Sequence, residues 1–310
     1  MPSQMSRNIA RNYIAKNGCN KGIDNQGKGK SYHGMGKGSR SKAKNYQTKG
    51  KNYHGTDCNS VFHDARQWRY DFDVAENGTV DANMMVICQM RIQIYRQTLA
   101  AIRAALWTTP MGHAVHLNLT QPALTARIDY TEIIRDSRLV SEQRSGCILQ
   151  NVEVLNVDML DYAGQLVEQQ QSVAVLNMAS ARHAGGGVAR GAGAQEENMH
   201  RRSDAVRFTV EQREQHYPIH GSVCLISKGV TIFRGSEKEG YPFLAKPFKV
   251  TMLTCAAVNV TKEKDPLPLM EDKISSIVQA AVATRCNRLV LSAFFANAQS
   301  NREVEVSPSI

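Results

Sequence analysis

The residues able to do chemistry crowd into one stretch, Val173 to Met199, which reads VAVLNMASARHAGGGVARGAGAQEENM. Gly185, Gly186 and Gly187 are consecutive, and Gln195, Glu196 and Glu197 follow after a gap of seven residues. Glycine has no Cβ, so backbone N–H groups in such a loop can approach a ligand closely. Successive N–H groups beside a helix N-terminus favour an anion such as a diphosphate. Two carboxylates sit just beyond. A phosphate cradle next to acids points to hydrolysis of a phosphorylated sugar compound. Phosphoryl transfer is not indicated, because no Lys-Ser/Thr pair follows the glycines. Glu196 and Glu197 are neighbours, and on a helix neighbours point ~100° apart. They cannot flank one bond as a facing pair of glycosidase carboxylates does, so they must divide the work. His, Cys, Asp and Glu nowhere cluster at metal-ligand spacing, and neither a metal nor a cofactor is expected.

The elements that position these residues are legible around them. Val173–Asn177 is apolar and β-branched, as a buried strand requires, and it leads into the glycines. Gln195–Gln215 reads as the helix that carries the acids. Upstream, residues 84–107 repeat apolar side chains at helical steps, and Thr108-Thr109-Pro110 stops that helix. A loop-rich stretch runs to about Gly146. Val152–Val157 alternates like a strand, and Asp158 is the expected N-cap of a helix reaching Gln171. Further strands are expected at Ser222–Ser227, Val230–Phe233, Lys249–Cys255 and Arg288–Ser292, with an amphipathic helix over Glu271–Cys286. Strands separated by helices predict an α/β fold, three layers α/β/α, with a mixed, largely parallel sheet. Ligands bind such sheets beyond the C-terminal ends of the strands, where the glycine loop sits.

Glycines 185–187, the seven-residue gap and Gln195-Glu196-Glu197 resemble the signature of poly(ADP-ribose) glycohydrolases, in particular the bacterial and fungal, microbial-type branch with a macrodomain-like catalytic domain. Leu176-Asn177-Met178-Ala179-Ser180 resembles the family's Asn-Phe-Ala-Ser before the glycines. Ile226-Ser227-Lys228 followed by Val230-Thr231-Ile232-Phe233-Arg234 resembles its Tyr-Ser-Pro and Val-x-x-Phe-Arg. Val250–Asn259 resembles its Val-Ile-Thr-x-Ala-Ala-Pro-Asn strand. The resemblance implies a glycosidase that cleaves the ribose–ribose O-glycosidic bond of poly(ADP-ribose). Glu197 is then the acid that protonates the leaving ribose oxygen and activates water. Glu196 and Asn177 touch the ribose, the amides of Gly185, Gly186 and Gly187 meet the diphosphate, and Gln195 holds loop to helix. Arg182, His183 and Arg190 are either further candidates for phosphate or solvated loop side chains, while Arg201 and Arg202 read as a solvated helix face or as members of helix pairs.

One departure is clear. The family's second phosphate loop is glycine-rich, but here residues 292–301 read SAFFANAQSN. Bulk at Phe295 and Asn297 obstructs close backbone approach to a diphosphate. This departure keeps a second reading open, a macrodomain that binds ADP-ribose or its polymer without turning it over.

Charge divides the chain. Residues 1–56 hold twelve Lys/Arg and one acid, Asp24, whereas the remainder holds 26 basic and 27 acidic residues. The basic character, pI about 9.3, therefore belongs to a Gly/Lys/Asn-rich tail, which is expected to be disordered. Such an arm suits a polyanion, either poly(ADP-ribose) or nucleic acid, with Tyr and His for stacking. Residues 57–83 have no clear period and read ambiguously, either as a linker or as a segment that packs Trp68, Tyr70 and Phe72 on the domain, leaving 84–310 as the catalytic domain. Seven scattered cysteines without CxxC spacing suit a reducing compartment, cytoplasmic or nuclear. No apolar run is long enough for a membrane span. The expected partners are poly(ADP-ribose) or an ADP-ribosylated protein.

Overall fold

The computed structural model describes residues 63–77, 80–109, 112–129, 152–258 and 265–292. The basic tail and the altered loop at 293–301 lie outside these residues. A five-stranded sheet forms the centre, in the order β3-β5-β6-β4-β7. Its strands are β3 (Thr125–Asp129), β4 (Val173–Ala179), β5 (Val223–Arg234), β6 (Phe243–Ala256) and β7 (Arg288–Val290). β4 lies parallel to β6 and β7, whereas β5 lies antiparallel to β3 and β6. The sheet is mixed, with its parallel half around the strand that leads into the glycines.

Side chains alternate across β4, as the period of two requires. Val173 and Val175 point to one face, under α3 (Met159–Glu168) and α4 (Gln195–Arg202), with Leu160, Met199 and Phe208. Ala174 and Leu176 point to the other, under α6 (Pro266–Thr284), with Ile277 and Ala280. Helices on both faces make the three expected layers. Asp158 caps α3, accepting from the amides of Leu160 and Asp161 at 2.9 Å each.

Several boundaries differ from the sequence reading, each for a local reason. The two expected strands at 222–227 and 230–233 are one strand, β5, whose register slips between Lys228 and Val230. Gly229 takes φ +76° there and lies against Thr120. The expected helix 195–215 breaks after Arg202, because Ser203 turns extended and bridges to Ile232. A 3-10 turn (Ala205–Arg207) and α5 (Arg213–His216) follow. Residues 152–157 alternate like a strand but pair with no described strand, leaving Val152, Val154, Leu155 and Val157 exposed. The loop-rich stretch contains a small antiparallel pair, β1 (Leu106–Thr108) and β2 (Ala114–His116).

The stretch without a clear period, 57–83, contains α1 (Ala65–Glu76) and the start of α2 (Val80–Ala104). Trp68 and Phe72 are buried on α1, with ring centroids 4.9 Å apart, and pack with Ile94 and Tyr241. The described part of this stretch is thus docked on the domain rather than linking to it. No helix among the described residues is long and apolar enough to cross a membrane. Phe72→Ala should cost roughly 3–5 kcal/mol of stability, the usual loss for a buried aromatic. Urea unfolding checks this, and a loss below about 0.5 kcal/mol, typical of an exposed site, would show that α1 is not part of the core.

Candidate active site

The site forms where β4 ends and α4 begins. β7 is short and pairs only with Val173–Val175, so the next stretch of that β4 edge needs other partners. Gln195 supplies them. Its Oε1 accepts from the Met178 amide at 2.8 Å, and its Nε2 donates to the Leu176 carbonyl at 2.8 Å. A primary amide thus imitates the missing strand and fixes the first turn of α4 to β4. The expected role, holding loop to helix, becomes one of holding helix to strand.

Glu196 and Glu197 are then buried, at 3% and 7% exposure. The loop closes over them with its own amides. Glu196 Oε2 accepts from Ser180 N at 2.7 Å and Oε1 from Gly185 N at 3.0 Å. Glu197 Oε1 accepts from Gly187 N at 2.6 Å. Its other oxygen, Oε2, is buried without a partner. The Gly186 amide turns inward to the His183 carbonyl at 2.9 Å. The amides expected to face a diphosphate therefore face carboxylates in this structure. Negative charge at this point also suits the positive end of α4.

The glycines are needed for this closure. Gly185 and Gly186 take φ +74° and +57°. A Cβ on Gly186 would overlap Glu197 Oε1 and lie 2.9 Å from Glu196 Oε2. Burial pushes the Glu196 carboxyl up to about 8, with the neighbouring Glu197 charge adding and the two amide donors opposing.

Asn177 is fully buried on the α4 side of β4, following the alternation of Val173 and Val175. Its Nδ2 donates to Thr254 Oγ1 at 3.3 Å, and its Oδ1 has no partner. The site thus holds two buried acceptors with spare capacity, Asn177 Oδ1 and Glu197 Oε2.

Three supporting residues were not singled out in the sequence. His200 places Nδ1 2.7 Å from the Glu196 carbonyl and Nε2 2.8 Å from Thr209 Oγ1. Its ring also fills the space beneath Gly185. Arg91 makes a bidentate pair with Glu237 at 2.8 and 2.7 Å. It also lies against Gly193, where any Cβ would overlap it. Tyr241 donates to Glu237 Oε2 at 2.7 Å. Arg91 reaches Glu237 across 146 residues, whereas His200 and Tyr241 act on near neighbours in a pattern that no motif marks.

The expectation of a solvated Arg201-Arg202 face is overturned. Both are buried, at 0% and 2% exposure. Arg201 donates to the Tyr241 hydroxyl at 2.8 Å and to the Ala192 carbonyl, inside the seven-residue gap, at 2.7 Å. Arg202 pairs with Asp158 at 2.8 Å and Asp161 at 2.5 Å, both at the start of α3. The helix is short and enclosed, so its polar side faces protein, and its arginines tie α4 to the gap and to α3. His183, Arg182 and Arg190 are exposed on the loop.

Together these features define a macrodomain-like α/β/α domain with an acid pair clasped by a glycine loop at the end of a parallel strand. Residues 95–235 match the family model of the microbial-type PARG catalytic domain, PARG being poly(ADP-ribose) glycohydrolase. The chain is thus similar to the microbial-type poly(ADP-ribose) glycohydrolases, as the glycine and glutamate motif led us to expect. Among solved structures, poly(ADP-ribose) glycohydrolase from Thermomonospora curvata is 26% identical with a TM-score of 0.56, over 66% of this chain and 80% of that one. The T. curvata protein bound to the inhibitor ADP-HPD gives 25% and 0.53, over 65% and 77% of the two chains. Comparison with curated protein sequences finds no match.

Two outcomes test this geometry. The Glu196 carboxyl holds its proton to about pH 8 when folded, against 4.5 for its ordinary value. The folded state then binds the extra proton between these values, so the contribution of Glu196 is most favourable at low pH and falls as pH rises through that window. The stability difference between wild type and Glu196→Gln should change across the window by up to about 1.4 kcal/mol per pH unit. Urea unfolding at a series of pH values measures it, and a constant difference would contradict the raised pKa of this buried carboxyl. Gly186→Ala should lose at least about 1–2 kcal/mol from the left-handed backbone alone. Its unfolding midpoint should fall accordingly, and an unchanged midpoint would contradict the close fit of Gly186 over the glutamates.

Proposed function

We propose that this chain is a glycosidase that hydrolyses the ribose–ribose O-glycosidic bond of poly(ADP-ribose) and releases ADP-ribose, with Glu197 as its general acid and base. The match of residues 95–235 to the microbial-type catalytic domain supports the reaction class. One observation carries the choice of residue. Glu197 anchors Oε1 on the Gly187 amide and keeps Oε2 buried and unpartnered. An acid that is held by one oxygen and free at the other can be aimed at a substrate atom. Glu196 has both oxygens on loop amides, so it acts by fixing the loop and by meeting ribose hydroxyls with its remaining lone pairs.

In this reading the proton of Glu197 passes to the leaving ribose oxygen as the anomeric C–O bond breaks. The resulting carboxylate takes a proton from water as that water adds to the anomeric carbon. Asn177, with Oδ1 unpartnered, accepts from a hydroxyl of the same ribose. The substrate is poly(ADP-ribose) or an ADP-ribosylated protein, and the compartment a reducing one, cytoplasmic or nuclear. The changed loop at 292–301 favours the alternative of ADP-ribose binding without turnover, and one experiment separates the two.

Release of ADP-ribose from purified poly(ADP-ribose) is compared for the full chain and Glu197→Gln. The parent should release it, and the variant should be slower by about 10²–10⁴-fold, as expected for loss of a general acid–base group. Glutamine keeps an acceptor for the Gly187 amide, so folding should survive. Equal rates in the two proteins would remove Glu197 from the mechanism. No release by either, with ADP-ribose still bound, would favour the binding reading.

A further inference from the structure

His200 stands four residues after Glu196 on α4, so the two side chains share a face of the helix. Its imidazole is fully buried and meets Glu196 at both ends. Nδ1 lies 2.7 Å from the Glu196 main-chain carbonyl. Another edge of the ring supports Gly185, where a Cβ would come within 3.3 Å of Cδ2 and 3.4 Å of Nε2. The Gly185 amide then donates to Glu196 Oε1 at 3.0 Å. Carbonyl, imidazole, glycine amide and carboxyl thus close a ring of contacts on one glutamate.

One state of the imidazole meets both of its partners. A carbonyl only accepts, so Nδ1 carries a hydrogen and donates to it. Burial lowers the pKa of the ring below the ordinary histidine value, and Arg201 adds to this while the Glu196 carbonyl and the Glu197 charge oppose it. The imidazole is therefore neutral, and Nε2 accepts. Its donor is the Thr209 hydroxyl at 2.8 Å, closer than the Ala205 carbonyl that the same hydroxyl faces at 3.1 Å. Thr209 lies after the break of α4, so the ring is held from two segments and kept under Gly185.

We propose that His200 is a positioning residue of this site, setting the height of the glycine loop above α4 and, through the loop amides, the direction of both glutamate carboxyls. The ring itself reaches no reacting atom. Gly187 follows Gly185 closely and donates to Glu197 Oε1 at 2.6 Å, so a loop that settles into the place of a missing ring disturbs both amide contacts. Histidine suits this post, because a flat ring that fills the space also carries a donor on one nitrogen and an acceptor on the other. The effect on turnover rests on the glycosidase reading above, whereas the effect on the loop does not.

The full chain is compared with His200→Ala and His200→Gln, and exchange of single backbone amides with deuterium is followed by NMR. In His200→Ala the Gly185 and Gly187 amides should exchange at least about tenfold faster, as local opening becomes easier. The Met178 amide, held by Gln195 rather than by the loop, should keep its rate. His200→Gln refills part of the space and keeps a polar end for Thr209, so it should lie between the two. It also carries the comparison should His200→Ala fail to fold. With poly(ADP-ribose) as substrate, kcat should fall by about ten- to a hundredfold with KM nearly unchanged, as for an intact group held in the wrong place. Equal acceleration of all three amides would mean a general loss of stability and overturn the proposal. Unchanged exchange at Gly185 and Gly187, or faster loop exchange with kcat unchanged, would overturn it as well. A parent without turnover would remove the glycosidase reading alone, and amide exchange would then decide the positioning role.

Discussion

Everything at this site depends on five groups meeting in a few ångströms, the carboxylates of Glu196 and Glu197 with the amides of Ser180, Gly185 and Gly187. Buried acids are costly unless their lone pairs are met, and here the backbone of one loop meets three of the four oxygens. The reverse also holds. A loop with two left-handed glycines has amides aimed inward, and those amides need acceptors. Loop and helix start therefore stabilise one another, and neither conformation makes sense alone. The fourth oxygen, Glu197 Oε2, is the one this arrangement leaves without a partner.

The surroundings hold that clasp from three sides. Gln195 copies a strand partner along β4, where β7 has already ended. Arg201 and Arg202 are buried and charged, and they bind the gap carbonyl at Ala192 and the carboxylates that start α3. Removing one partner from such a buried pair typically costs several kcal/mol. From the far side, Arg91, Glu237 and Tyr241 close a polar network against Gly193 and Arg201. His200 sits under Gly185, where a larger loop residue would collide with it. The short helix α4 is thus enclosed by protein, with Met199 in the apolar core and its arginines and glutamates bonded to the surrounding elements.

Much of this was legible in the sequence, and the rest was hidden for identifiable reasons. The glycines, the acids and the strand before them form one local unit, so their order along the chain already described the site. Asp158 as a cap and the alternation of β4 followed from periodicities that act within a few residues. The fate of Arg201 and Arg202 did not, because charge on a helix reads as exposure unless the enclosing elements are known. Trp68 and Phe72 could be picked out as residues to pack on the domain, but their partners Ile94 and Tyr241 could not, because they lie far along the chain. Residues 152–157 failed in the other direction, since alternation was present while a strand to pair with was not. The amides of Gly185 and Gly187 were expected to meet a diphosphate, and the acceptors they meet are the protein's own carboxyl groups.

In the proposed reaction this clasp persists when substrate is bound, with Glu197 Oε2 facing the ribose. A crystal structure of the full chain with ADP-ribose tests it most directly. The ribose should lie beside Glu197 Oε2 and Asn177 Oδ1, with the Gly185 and Gly187 amides still on the glutamates. Glycine amides released to the diphosphate, or a ribose seated away from Glu197, would contradict it.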